Sequence, residues 1–362
     1  MERDLSDRIY LDHAATTPML QEAIAAVQDG MAAWANPSSP HAAGRAARAQ
    51  LEGARSRIAA AYGWAHELVL TSGASEALHL ALARSVAERR LITAVEHDAV
   101  LRCSEGAGVL PVDAGGLLRL DALRAALARD GRTLVCIQWA NSETGVRQPI
   151  EAVAHIVHEA GGLLLVDAAQ MPARADAAVL RHADLVAVSA HKRGGPPGIG
   201  ALLVRDFAAL MPSGGQEKGY RSGTENLPGA LGYAAALEVP EDLAHLTGLR
   251  RQLEDRILSK GGEIVGAKSP RSPLIGAYRM PGVSAAAQLI RFDLAGIAVS
   301  AGSACSSGSM RPSHVLSAMG WSEPELREVI RVSFGRSTDA IEVDRFADLW
   351  SGIAAEAGAR AA

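Results

Sequence analysis

The sequence predicts an α/β protein. A large domain on a mainly parallel sheet, covered by helices on both faces, is joined to a smaller α+β domain. Three observations carry this. From Glu67 to Val204, near-continuous apolar runs of strand length alternate with helical patterns, the rhythm of a parallel sheet buried on both faces. From about residue 240 the texture changes to shorter strands and helices. Aromatic residues make up only 4% of the chain while Ala and Gly are abundant, which suits close helix–sheet packing. The large domain is assigned to residues 16–240 and the smaller one to residues 1–15 with 241–362.

In order along the chain, Ile9 to Leu11 is a short apolar stretch ended by DHAATTP (Asp12 to Pro18). Met19 to Trp34 reads as a helix, ANPSSPH (Ala35 to His41) as a loop, and Gly44 to Tyr62 as an amphipathic helix. Arg45, Arg48, Arg55 and Arg57 are assigned to its solvated face. Glu67 to Gly73 is a strand ending in a turn, Ser75 to Arg90 a helix, and Leu91 to His97 a strand followed by a short helix. Leu120 to Arg129 is helical, Thr133 to Asn141 a strand, Pro149 to Ala160 a helix, and Leu163 to Gln170 a strand. Two more strands, Leu185 to Val188 and Ile199 to Val204, are joined by a Gly- and Pro-rich loop with no helix between them. That direct return makes one of them antiparallel. After Ala230 a helical pattern runs to about Leu258.

The 362 residues are enough for a sizeable core. A net charge of -4 argues against a general nucleic-acid binder. No run of about 18 apolar residues predicts a membrane helix, and MERDLSDR at the N-terminus lacks the apolar core of a signal peptide. Three scattered cysteines form neither a disulfide framework nor a zinc site. The expectation is a cytoplasmic protein in which any important cysteine acts as a free thiol.

Polar residues collect where the strands end, the edge at which open parallel sheets bind ligands. Ser72, Gly73, Ala74 and Ser75 follow one strand and open a helix, whose N-H groups and dipole suit a phosphate. His97 ends the next strand, and Asn141, Ser142 and Glu143 the one after. Asp167 and Gln170 end LLLVDAAQ, and Ser189, His191 and Lys192 end the strand at Leu185. Taken singly, each has an ordinary reading: a capping serine, a packed histidine, a lysine that is merely the first solvated residue after a strand. A buried lysine costs several kcal/mol unless something answers it, and a carboxylate after four apolar residues needs a cation or donor. Together the set fits pyridoxal 5′-phosphate. The helix N-terminus with Ser75, Ser189 and His191 takes the phosphate, Asp167 the protonated ring nitrogen, His97 stacks on the ring, and Lys192 forms the Schiff base.

With these residues in place, the chain resembles the class V aminotransferase family of fold-type I pyridoxal phosphate enzymes, and within it the NifS/IscS-type cysteine desulfurases. The motifs are YLDHAATTP (Tyr10 to Pro18), NPSSPH (Asn36 to His41), TSGASEA (Thr71 to Ala77), EHDAVL (Glu96 to Leu101) and NSETG (Asn141 to Gly145). They continue with VDAAQ (Val166 to Gln170), SAHKRGGPPGIGAL (Ser189 to Leu202), YRSGTEN (Tyr220 to Asn226), SAGSACSSGS (Ser300 to Ser309) and RVSFGR (Arg331 to Arg336). They stand in family order and span nearly the whole chain. The resemblance implies a seven-stranded large-domain sheet and a homodimer. It implies Lys192 as the Schiff-base lysine, Asp167 on the pyridine nitrogen, Gln170 and Ser142 near the phenolic oxygen, and His97 as a stacked acid/base. It places Ala74, Ser75, Ser189 and His191 at the phosphate, joined by Thr224 from a second subunit. Arg331 with Asn36 binds the substrate carboxylate in this reading, a task that suits the guanidinium fork.

Three departures from the family pattern stand out. Ser142 replaces the usual Asn, Ser75 replaces Thr but keeps the hydroxyl, and the chain ends soon after Arg336, shorter than the IscS type, whose C-terminal tail helps dock a scaffold. Cys305 lies in AGSACSSGSMRP, a run of small residues that cannot build a packed core and reads as a mobile exposed loop. Cys136, inside an apolar strand, and Cys103 read instead as small buried hydrophobes. The expected reaction converts L-cysteine to L-alanine. Lys192 moves the α-proton, and the Cys305 thiolate attacks the substrate sulfur to leave a persulfide for a sulfur-acceptor protein, in iron-sulfur cluster assembly or tRNA thiolation. Selenocysteine lyase, cysteine sulfinate desulfinase, a plain aminotransferase and a non-catalytic sulfur-pathway partner are the alternatives the sequence leaves open.

Overall fold

A computed structural model of the chain describes residues 8–302 and 312–361. In chain order, β1 (Ile9–Tyr10) precedes helices α1 (Gln21–Ala32) and α2 (Ala42–Tyr62). Then follow β2 (Glu67–Thr71), α3 (Ala74–Arg84), β3 (Arg89–Thr93), α4 (Asp98–Arg102), β4 (Gly108–Leu110), α5 (Leu120–Leu127), β5 (Thr133–Gln138) and α6 (Ile150–Glu159). Next are β6 (Leu163–Asp167), α7 (Ala177–His182), β7 (Leu185–Ser189), β8 (Gly200–Val204), α8 (Leu227–Glu238) and α9 (Leu243–Ser259). The last part contains β9 (Glu263–Ile264), β10 (Ile275–Arg279), α10 (Ala285–Leu294), β11 (Ile297–Ala298), α11 (His314–Ala318), α12 (Glu323–Leu326), β12 (Val329–Ser333) and α13 (Ala340–Ala361).

The central sheet has seven strands in the order β2-β8-β7-β6-β5-β3-β4, as the fold class required. The β4, β3, β5, β6 and β7 pairings are parallel. Strand β8 runs antiparallel to both β7 and β2, because the Gly-Pro loop returns the chain without a crossover helix. Every residue of β5, β6, β7 and β8 is buried, which explains why their sequences are apolar throughout rather than alternating. One core cluster packs α2, α6 and α8 on one face, and a second packs α3 on the other.

Beyond this sheet, β1 pairs in parallel with β11, and β10 lies between β12 and β9 in a separate antiparallel sheet. A third cluster joins Ile9 and Leu11 to Leu253, Phe292, Phe346 and Trp350. A fourth brings Val95 and Val112 against Val265, Ala277 and Val329. Among the described residues, no helix is long and apolar enough to cross a membrane.

The structure differs from the sequence expectation in four places. The helix expected over Ser75 to Arg90 ends at Arg84. Ser85 turns out of helical geometry, its hydroxyl accepts from Ala87 N (3.1 Å), and Arg89 and Arg90 pair with β5. The helical pattern expected from Ala230 to Leu258 is two helices, because Pro240 removes a donor and Asp242 caps a new start at His245 N. The edge strand β4 was not expected, since three residues are too few to carry a period. Arg55 is not on a solvated face: it is 8% exposed and paired with Glu217.

Candidate active site

A cavity of about 440 Å³ opens where β2, β3, β5, β6 and β7 end. Ser72 to Ser75, His97, Ser142, Asp167, Gln170, Ser189, His191 and Lys192 all line it. At its floor, Gly73 caps α3 with φ 154° and ψ 179°, a conformation open essentially to glycine alone. The backbone can therefore approach closely what the first turn of α3 binds. A Cβ built at Gly73 would lie 3.8 Å from the Ser189 hydroxyl, so the cap faces the end of β7. His191 reaches Thr16 Oγ1 through Nδ1 at 3.2 Å. Burial, helped by the Lys192 cation, pushes its pKa down to about 4, so the ring is neutral at pH 7.

Asp167 ends β6 and is 7% exposed, with one oxygen accepting from Ala169 N at 3.0 Å. Burial pushes its carboxyl above the usual range, opposed by that N-H and by the nearby His97 and Lys192. A carboxylate in this position is satisfied by a cation in the cavity. Lys192 Nζ donates to Ala14 O (2.5 Å) and Ala15 O (2.8 Å), and Gln170 Nε2 also donates to Ala14 O (3.0 Å). The segment after β1 thus crosses the cavity and holds the amine. His97 caps α4, its Nδ1 accepting from Ala99 N at 3.1 Å, which makes the neutral ring the Nε2-H tautomer. A buried carboxylate, a lysine, an imidazole and a helix N-terminus on one cavity fit the donor set that pyridoxal phosphate needs.

A second cavity of about 280 Å³ shares Ala15, His97, Ser142 and Lys192 with the first and adds Glu96, Gly302, His314 and Arg331. Arg331 Nη1 donates to Ser142 O (3.0 Å) and Nη2 to Asp12 Oδ1 (2.7 Å), while Nε is buried with no hydrogen-bond partner among the described residues. Asp12 Oδ2 accepts from Ser300 Oγ (3.1 Å). Asp12 is not among the residues the sequence pattern marks for the site, although a carboxylate directly after a buried strand was the available signal. Nor is Glu96, whose buried Oε1 accepts from Thr93 Oγ1 (2.5 Å) and Gln138 N (3.1 Å). Burial, with Asp167 adding, pushes Glu96 up to about 8, so it is protonated at neutral pH.

Two expected residues lie elsewhere. Asn36 and Thr224 line neither cavity. Asn36 Oδ1 accepts from Ser38 N at 2.9 Å, and Thr224 is exposed. Asn141 lines the second cavity, but its Oδ1 is spent on its own turn, where it accepts from Glu143 N and Thr144 N, both at 2.9 Å. Cys305 lies outside the described residues. Cys136 is fully buried and Cys103 partly exposed, and burial raises both thiols, the opposite of what a nucleophile needs.

His13, beside this segment, gives a pH prediction. Burial, then the Arg193 guanidinium, pushes it from 6.5 down to about 4. The unfolded chain therefore binds this proton first, and stability falls as pH drops from about 6.5 to about 4. One such residue is worth ~3 kcal/mol across that window, with a smaller addition from the more exposed His191. Urea unfolding of the apoprotein from pH 7 to pH 4 reads the slope, and His13→Gln is expected to flatten it. An unchanged slope in that variant refutes the assignment.

Comparison with known proteins agrees with this geometry. The family model for aminotransferase class V matches residues 9–346. A cysteine desulfurase of Cereibacter sphaeroides is 38% identical over 95% of this chain and 95% of its own length. A putative cysteine desulfurase, IscS 1, of Bacillus subtilis is 38% identical over 93% of this chain and 96% of its own. The X-ray structure of a NifS-like protein from Rickettsia africae superposes with a TM-score of 0.87 at 30% identity, covering 96% of this chain and 99% of that one. A structure of SspA in complex with cysteine superposes at 0.77 and 30% identity, over 91% of this chain and 100% of the other. With the match running from β1 into α13, the chain belongs to the class V aminotransferase family.

Proposed function

We propose that this chain is a pyridoxal-phosphate-dependent cysteine desulfurase that converts L-cysteine to L-alanine and leaves a persulfide on Cys305. The observation that carries the reading is the continuity of the two cavities. Lys192, His97 and Ser142 line both, between the Asp167 side and the Arg331 side. An amino acid spanning them would place its α-carbon beside Lys192 and its carboxylate near Arg331.

In this reading the first turn of α3, with Ala74 and Ser75, holds the cofactor phosphate together with Ser189 and neutral His191. Asp167 holds the ring nitrogen, and Gln170 and Ser142 flank the ring. The cofactor supplies an electron sink for the charge left at the substrate α-carbon. Lys192 Nζ takes the α-proton, and the carbonyls of Ala14 and Ala15 fix where that amine sits. His97 moves a proton at Nε2, since Nδ1 is taken by Ala99 N-H. The Cys305 thiolate bonds to the substrate sulfur as the carbon–sulfur bond breaks. The carbon skeleton keeps that electron pair, takes up protons and leaves as alanine. The reaction needs no external oxidant.

Asp12 fixes the guanidinium of Arg331 against Ser142 O. Asp12→Ala is expected to raise KM for L-cysteine about tenfold, the worth of one charge-assisted hydrogen bond, with kcat nearly unchanged. A fall in kcat at constant KM would move Asp12 out of substrate binding.

The same reading includes a cytoplasmic homodimer whose exposed Thr224 segment serves the partner's phosphate site. It also includes the division into residues 16–240 and residues 1–15 with 241–362, supported by the separate core clusters. The persulfide passes to an acceptor protein, in iron-sulfur cluster assembly or tRNA thiolation. The deciding experiment measures alanine formed by the holoenzyme from L-cysteine, selenocysteine and cysteine sulfinate, with persulfide mapped on the protein. Alanine from cysteine with sulfur on Cys305 is expected. Turnover of the other two substrates alone overturns the reading.

A further inference from the structure

A loop outside both cavities is held in a conformation its residues do not prefer. Glu217 and Lys218 have left-handed backbone, with φ of 49° and 59°, although neither is glycine or asparagine. Such strain persists only where the surroundings over-determine it, and it concentrates at functional sites.

The Glu217 side chain is buried and fully engaged. It pairs bidentately with Arg55 (Nη1–Oε2 2.6 Å, Nη2–Oε1 2.9 Å), and Oε2 also accepts from Leu70 N at 2.8 Å. Arg55 in turn donates to Leu68 O at 2.8 Å. Strand β2 is the edge of the sheet, so Glu217 takes an N-H that no neighbouring strand reaches. At the other end of the loop, Arg221 Nε donates to Glu76 Oε1 at 2.8 Å. Glu76 also accepts from Ser72 N. Backbone bonds between Gln216 and Arg221 close the loop.

The two grips fall on either side of one feature. Leu68 and Leu70 lead into the turn at Ser72–Gly73, and Glu76 lies in the first turn of α3 that leaves it. Nothing in the loop from Gln216 to Arg221 lines the cavity. We propose that the Arg55–Glu217 and Arg221–Glu76 pairs form a latch that positions the Ser72–Ser75 turn for the cofactor phosphate, with Glu217 as its key positioning residue. The strained backbone is then the tension that the buried ion pair holds in place. The proposal rests on the cofactor reading above.

The test separates the phosphate from the rest of the cofactor. The apoprotein is titrated with pyridoxal 5′-phosphate and with pyridoxal, which lacks the phosphate. Glu217→Gln is expected to weaken pyridoxal 5′-phosphate about tenfold, the scale of one charge-assisted contact, and to leave pyridoxal unchanged. Adding Lys218→Gly, which relieves the left-handed strain at position 218, is expected to restore part of the phosphate-dependent affinity. Equal weakening of both ligands, or of neither, overturns the latch. Glu254→Gln, which breaks the half-buried Arg271 pair away from the cavity, controls for general destabilisation and is expected to spare the ratio of the two affinities. A change in that ratio equal to that of Glu217→Gln also overturns it. If the wild-type apoprotein binds neither ligand, the cofactor reading itself fails.

Discussion

Lys192→Ala is expected to lose the visible absorption of the bound cofactor and to slow alanine formation from L-cysteine by at least about a thousandfold, the scale of a lost acid-base group. The lysine is set by two independent elements. Strand β7 delivers it to the cavity, and the Ala14 and Ala15 carbonyls hold its Nζ. Among the described residues no other lysine lines either cavity, so none of them substitutes for it. The variant is expected to keep its fold, because Lys192 lines the cavity wall and is not part of a hydrophobic core, and the apoprotein melting temperature checks this. Retention of the absorption band in a folded variant would remove Lys192 from the centre of the mechanism. Residual activity restored by an added small primary amine would support its proton-transfer role, since a free amine replaces the lost base without rebuilding the chain.

Much of this site was legible because parallel strands announce where they stop. In β6 and β7 apolar residues run unbroken up to Asp167 and Ser189, so the first polar side chains mark the ligand edge. Pairings were not legible in the same way. Asp12 and Arg331 are 319 positions apart, and Arg55 and Glu217 are 162 apart. No local pattern distinguishes such an arginine from one on a solvated helix face, and Arg55 was misplaced for that reason. Short elements failed on other grounds. Strand β4 exists because β3 offers it a partner, a tertiary cause that three residues cannot declare. The helix ends at Arg84 and Glu238 were set by local breakers, Ser85 and Pro240, which are weak signals beside a long helical period. Asp12 shows that even at the site, a charged residue inside a motif is overlooked when its partner lies at the far end of the chain.

Cys305→Ser is expected to bind cofactor and L-cysteine with nearly wild-type absorption changes, yet to form no persulfide and to make alanine at least about a thousandfold more slowly, because a hydroxyl cannot replace the thiolate as nucleophile. Cys305 lies outside the described residues, and the support comes from its flanks. Ser300 is tied to Asp12 and by its backbone to Arg331, and Gly302 lines the second cavity. On the other side, Ser313 Oγ donates to Glu143 Oε2 at 2.6 Å, and His314 Nε2 meets Glu96 O at 2.9 Å. Both ends of the cysteine-bearing segment are thus fastened to the walls of the cavity that holds Arg331. The other two cysteines do not compete, since burial raises both thiols. Mass spectrometry of the holoenzyme after one turnover reads the outcome. One added sulfur on the wild-type peptide carrying Cys305, and none on the variant, is the expected pair. Sulfur found on Cys103 or Cys136 instead, or sulfide released at the wild-type rate by Cys305→Ser without added thiol, would assign the nucleophile elsewhere.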